Sequence, residues 1–234
     1  MLTKPVNVLF TRPLDAILAQ KASLRKVLVD TAKFIETKTT NDQVIIESVR
    51  ATSDKAATVI FTSTNAVEAV VSFIAIKPNW DIYCIGGATK DAVIEVFGEA
   101  AIKSLAKSAA NLAEKIITAG NVEKVVFFCG DQRLTTLPET LIANGIEVEE
   151  LVVYNTELTP QVVEKNYHGI AFFSPSAVHS FFSENTVATS VILFAIGKTT
   201  AATIASYCSN KIVTCEWPGS EQMLDTVIHY FEKN

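Results

Sequence analysis

Apolar residues in this chain gather in short, nearly unbroken runs, and these predict strands near residues 6–11, 26–30, 57–62, 81–86, 101–104, 124–129, 147–153, 169–173, 191–196 and 211–215. Runs rich in Val, Ile and Phe without polar alternation belong to strands buried on both faces. Between most of them apolar residues recur at intervals of three and four, the spacing of a helix with one face on a core. Strands alternating with helices of this length predict parallel sheets covered on both sides.

The pattern repeats itself. "VIFTSTNAVEAVV" at Val59–Val71 is echoed by "IAFFSPSAVHSFF" at Ile170–Phe182, which places Ser63 on Ser174 at an offset of 111 residues. The same offset carries Gly86 to Gly197, Thr89 to Thr200 and Leu112 to Met223. An ungapped match over roughly 60 residues is the signature of two copies of one supersecondary unit. The first copy is followed by a further strand, loop, helix and strand at Val125–Tyr154, whereas the second copy runs to the last residues of the chain. A look-alike of that missing piece stands at Val6–Ile35. The expected organisation is therefore one α/β domain built from residues 1–36 plus 156–234, with a second, residues 37–155, inserted into it.

In parallel sheets, ligands bind beyond the carboxyl ends of the strands. The residues expected there are Arg12, Ser63, Thr64, Gly86, Thr89, Asp131, Arg133, Ser174, Ser176, Gly197, Thr199 and Thr200. Most are small or hydroxyl residues at a helix start, where free backbone N–H groups and the positive end of the helix dipole favour a carboxylate or phosphate. Taken alone, Ser63, Ser174, Thr89 and Thr199 are better explained as helix caps, for which they have the residue type; it is their repetition in both halves that brings the ligand-facing reading level. Asp131 and Arg133 form either an anion clamp or a solvated turn. Tyr154 ends the strand leading out of the inserted domain, where its hydroxyl meets either a ligand or only its packing neighbours.

Composition narrows the function classes. Hydrophobic residues make up 49% of the chain and charged ones 19%, enough for well-buried cores and too apolar for disorder. A net charge of −5 argues against a nucleic-acid binder, so an anionic ligand must be held by local features. Cys84, Cys129, Cys208 and Cys215 are widely spaced and read as reduced thiols; with the three histidines they form no metal-ligand spacing. Neither a dinucleotide fingerprint, a Walker lysine motif nor a nucleophile elbow is present, so Ser174 and Ser176 near His179 do not read as a hydrolase. No apolar run approaches the ~20 residues that a bilayer helix needs, and a strand pattern starting at Val6 leaves no room for a signal peptide. The expected address is the cytoplasm.

Taken in order, "FTRP", "IFTSTNAV", "IGGAT", "SAANLAEKI", "FFCGDQRLTTLPETL", "VVYNT", "FFSPSAV" and "AIGKTTA" resemble the uroporphyrinogen-III synthase family over nearly the whole chain. The resemblance implies two similar doubly wound parallel-sheet α/β domains joined by a two-stranded linker, with a cleft between them. It implies a lyase of porphyrin and haem biosynthesis that closes hydroxymethylbilane, a linear tetrapyrrole with eight carboxylates, to uroporphyrinogen III. Water is lost, ring D is inverted through a spiro intermediate, and no metal or organic cofactor takes part. By the same resemblance Tyr154 is the catalytic candidate, assisting departure of the hydroxyl group. Arg12, Ser63, Thr64, Gly86, Thr89, Arg133, Ser174, Ser176, Gly197, Thr199 and Thr200 are expected to bind substrate, Lys90 and Lys198 adding local positive charge. A monomer is expected, receiving its substrate by handover from hydroxymethylbilane synthase, without nucleic-acid or membrane partners. The competing reading is a non-catalytic two-domain protein that binds a carboxylate or sugar phosphate.

Overall fold

The computed structural model describes residues 4–233. Its elements are β1 (Val6–Phe10), α1 (Ala16–Leu24), β2 (Val27–Thr31), β3 (Ile35–Thr39), α2 (Gln43–Ser53), β4 (Ala57–Phe61), α3 (Thr64–Phe73), β5 (Trp80–Ile85), α4 (Ala88–Phe97), β6 (Ile102–Ala106), α5 (Ala109–Ala119), β7 (Lys124–Gly130), α6 (Thr136–Ala143) and β8 (Glu147–Leu158). They continue as β9 (Gly169–Phe172), α7 (Pro175–Glu184), β10 (Ile192–Ala195), α8 (Lys198–Ala205), β11 (Ile212–Thr214) and α9 (Ser220–Lys233). Two compact units result, one comprising Met1–Glu36 with Glu157–Asn234, the other Thr37–Thr156.

In the discontinuous unit the strands lie in the order β11-β10-β9-β1-β2, and each neighbouring pair is parallel. The other sheet runs β3-β8-β7-β4-β5-β6 and is parallel from β8 to β6. Alternate residues of each strand feed opposite cores, which is why the strands read as continuous apolar runs. In the Thr37–Thr156 unit, Val59, Phe61, Val126 and Phe128 face α2, α3 and α4 through Val49, Val67, Val70 and Phe97. Ile60, Val125 and Phe127 face α5 and α6 through Leu112, Ile116, Leu137 and Leu141. The other unit repeats the scheme: Val8, Phe10 and Phe194 pack on α1 and α9, and Leu9, Ile170 and Leu193 on α7 and α8. Each fully buried Phe or Leu contributes about 1.5–3 kcal/mol, so these four clusters are the main source of stability.

The repeat is physical. Ser63 and Ser174 both cap their helices from extended backbone, α5 and α9 start 111 residues apart, and Leu112 and Met223 are both fully buried. The β7-α6-β8 segment of one unit has its counterpart in β1-α1-β2 of the other, supplied from the opposite end of the chain. A clasp of ion pairs, Lys21 to Glu221 and Asp225 and Arg25 to Glu232, joins α1 to α9. Sequence patterning does not find β3. Its "IETKT" is polar and mostly exposed, because it is the edge strand beside β8. Backbone bonds from Thr40 to Val153 and from Thr159 to Phe34 show the two segments running in opposite directions, an antiparallel two-stranded ribbon where the chain passes from one unit to the other. No helix among the described residues is long and apolar enough to cross a membrane.

Candidate functional site

In each sheet the connections leave in opposite directions from one pair of adjacent strands, β4 and β7 in one unit and β1 and β9 in the other. Such switch points open a crevice at the carboxyl ends of the strands. The two switch points are furnished differently.

At the end of β4, Ser63 has extended backbone (φ −149°, ψ 150°), and its Oγ accepts the Ala66 N–H at 3.1 Å to cap α3. The same hydroxyl donates to the Tyr154 Oη at 3.0 Å. Tyr154 comes from β8, two strands away, and reaches Ser63 by lying across the end of β7. A bulge makes this possible. The register shifts between Cys129 and Gly130, so that Gly130 stands opposite Tyr154. A Cβ on Gly130 would sit 2.4 Å from the Tyr154 Cζ and 2.7 Å from its Oη, so only glycine leaves room for the ring. The Asp131 N–H donates to the Tyr154 carbonyl at 3.2 Å, and Asp131 Oδ1 accepts the Thr156 N–H at 2.8 Å, fixing the strand on both sides of the tyrosine. Burial raises the Tyr154 pKa above its usual 10, Cys129 and Asp131 adding to the rise while Ser63 and Asn65 pull against it. The phenol therefore stays protonated throughout the neutral range.

Beside this pair, α4 starts from Gly87 at φ 74° and has no side-chain cap. Thr89 is its second residue and turns inward, 5% exposed. Gly86 donates its N–H to the Ala106 carbonyl at 2.9 Å. Thr64 is the first residue of α3 and is half-buried. Arg133 does not stand as an open charge: its Nε donates to Glu150 Oε2, with both side chains about three-quarters buried, and that bond raises the Arg133 pKa further.

In the discontinuous unit Ser174 reproduces Ser63, with extended backbone and its Oγ accepting the Ala177 N–H at 3.1 Å. Pro175 occupies the first helical position, where a missing N–H costs nothing. Ser176 follows as the second residue of α7. Gly197 caps α8 without a side chain, Thr199 is exposed in the first turn, and Thr200 is buried at 2% exposure. Thr11 fastens the ends of β1 and β9, its Oγ1 donating to the Ala171 carbonyl at 3.0 Å and accepting the Phe173 N–H at 3.4 Å, and Arg12 next to it is exposed.

The capping expectation thus divides. Ser63 and Ser174 are caps; Thr89 and Thr199 are not, because glycines take the cap positions of α4 and α8 and leave the first N–H groups without a side-chain partner. Of the expected residues, Ser63 and Asp131 are both brought into contact with Tyr154, Ser63 at its hydroxyl and Asp131 at its carbonyl. His179 is exposed and bonded to the Tyr207 hydroxyl at 2.7 Å, rather than to Ser174 or Ser176. Thr11, Asn65 and Gly130 lie in the strand-end stretches "TRP", "TSTNA" and "GDQR" that the sequence marks as candidate sites, but the sequence gives none of them a role of its own. What they touch follows from a bulge and from cross-strand register, which leave no local signal in the order of residues. Among the described residues, no group of three or more His, Cys, Asp or Glu is placed to hold a metal ion.

Comparison with known proteins adds two findings. The family model described as uroporphyrinogen-III synthase HemD matches residues 25–225. Similar folds include a mutant uroporphyrinogen III synthase from the extremely thermophilic bacterium Thermus thermophilus, 12% identical, covering 98% of this chain and 100% of that one with a TM-score of 0.66. Another is the uroporphyrinogen-III synthetase of Helicobacter pylori 26695, 15% identical, with 96% and 99% covered and a TM-score of 0.64. At such identities these likenesses speak to the fold, and the family match speaks to the chemistry.

Proposed function

Because the chain belongs to the uroporphyrinogen-III synthase family, the cyclising lyases that convert hydroxymethylbilane to uroporphyrinogen III with loss of water and inversion of ring D, we propose a division of labour among its residues. Tyr154 gives its phenolic proton to the departing hydroxyl group. The observation that carries this is the half-buried phenol at a switch point, protonated at neutral pH and touched at its oxygen by a hydroxyl donor. The same phenol in open solvent would be a less oriented donor.

The remaining residues hold substrate. Thr64, Gly86 and Thr89 in one unit, and Ser174, Ser176, Gly197, Thr199 and Thr200 in the other, flank helix starts whose backbone N–H groups take acetate and propionate carboxylates. Each such contact is worth about 0.3–1 kcal/mol at an exposed site, so affinity for a polyanion comes from several acting together. The uncapped starts of α4 and α8 support this most directly. Arg12, Lys90 and Lys198 add attraction on the same rims. Arg133 takes part only by exchanging Glu150 for a substrate carboxylate. This is how a chain of net charge −5 binds an anion without a basic surface. Catalysis is then largely control of the bilane's conformation. The protein acts as a cytoplasmic monomer taking its substrate directly from the enzyme that makes it, since a bilane left in water closes to the wrong isomer.

Tyr154→Phe tests the assignment. The expected result is a loss of turnover of about tenfold or more with an unchanged melting temperature, since general acids contribute at least that much. Unchanged turnover removes Tyr154 from the chemistry.

A further inference from the structure

Ser63 has more to do than end a helix. Its Oγ accepts the Ala66 N–H at 3.1 Å, which uses a lone pair and leaves the hydroxyl proton available. That proton is directed at the Tyr154 Oη, 3.0 Å away. The repeat supplies an internal comparison: Ser174 makes the same 3.1 Å cap bond from the same backbone conformation, and among the described residues no phenol is bonded to it. Capping therefore does not require the tyrosine, and the second bond is peculiar to the unit that carries Tyr154.

Resting on the assignment of Tyr154 as proton donor, we propose that Ser63 is the positioning residue for that proton: its hydroxyl occupies a lone pair of the phenol oxygen, turns the phenol's own hydrogen outward, and remains as a donor to the phenolate once the proton has gone. In the step itself the Tyr154 O–H bond breaks, and the proton passes to the hydroxyl oxygen of the substrate. The C–O bond breaks, its electron pair leaves with that oxygen as water, and positive charge remains on the pyrrole. The proton released from the pyrrole carbon on ring closure restores the phenol. A donor already in place needs no reorganisation as the negative charge forms. Gly130 makes room for the ring to reach Ser63, and Asn65, in the first turn of α3, also favours the ionised phenol. Burial, with smaller contributions from Cys129 and Asp131, opposes that ionisation. The donors are thus what keep the acid usable at a half-buried position.

The test measures kcat, its pH profile and the melting temperature for Ser63→Ala, Ser63→Thr and Ser63→Asp, each with Tyr154 intact and with Tyr154→Phe. Ser63→Ala is expected to lower kcat about tenfold, the range for a lost hydrogen bond to a developing charge. The loss should vanish in the Tyr154→Phe background. Because Ser63 lowers the phenol pKa, its removal should move the alkaline limb of the kcat profile to higher pH. Ser63→Thr, which keeps donor and cap, should restore turnover. Ser63→Asp, which caps the helix but cannot donate, should restore the melting temperature and not the rate. An equal loss from Ser63→Ala in both backgrounds would show direct contact with substrate and overturn the proposal, as would full rescue by aspartate. If Tyr154→Phe alone leaves turnover unchanged, the fault lies with the proton donor, and the role of Ser63 falls with it.

Discussion

At Gly130 a single absent methyl group decides where the Tyr154 side chain lies. The Tyr154 ring occupies the space a Cβ would fill, 2.4 Å from Cζ, and the bulge after Cys129 holds the two residues opposite one another. Gly130→Ala should displace the ring, break the bond to Ser63 and lower kcat by about tenfold or more, while the sheet persists because Cys129 and Phe128 stay buried. Steady-state kinetics beside far-ultraviolet circular dichroism checks this; a variant with unchanged kcat would show that the ring's seat is not what matters. Ser63 and Ser174 were legible in the sequence because the repeat set one above the other. Gly130 and Asn65 fell within candidate stretches, but their roles were not legible, since what they touch depends on strand order, and a glycine in "FFCGDQR" reads equally well as an ordinary turn. Arg133 looked like an open cation and is bonded to Glu150, seventeen positions along the chain on a neighbouring strand. Nothing local announces that partner.

Among the elements, the two copies of the repeat also differ in the face their first helix turns to the core. In α7 the Ser180 side chain is fully buried, and its hydroxyl has no hydrogen-bond partner among the described residues, whereas the matching position of α3 is Ala69, 1% exposed. A buried hydroxyl without a partner costs about 1–3 kcal/mol. Ser180→Ala should therefore stabilise the protein by about 1 kcal/mol in urea unfolding, and Ala69→Ser should destabilise it by a similar amount. A destabilising Ser180→Ala would mean that the hydroxyl has a partner in solution. Strands fed by cores on both faces, such as β4, β7 and β9, were easy to read because nothing interrupts their apolar runs. The edge strand β3 and the last residues of β8 were not, because a ribbon with exposed sides needs no hydrophobic face to hold its register.

For the whole molecule, the permuted repeat explains why two units of like topology are built from a chain that enters one, completes the other and returns. The α1 to α9 clasp of Lys21 and Arg25 contributes little, since its ion pairs are largely exposed. The buried faces of α1 and α9, through Leu18, Ala22, Met223, Leu224 and Val227, hold the two chain ends together. A linear bilane closes unaided to the type I isomer, so what a fold of this kind must supply is control over which carbon of ring D attacks. The most direct measurement is the isomer composition formed when the purified protein is given fresh hydroxymethylbilane and the product is oxidised and separated by chromatography. Predominantly type III uroporphyrin is the result predicted; type I alone, at the rate seen without protein, would contradict it.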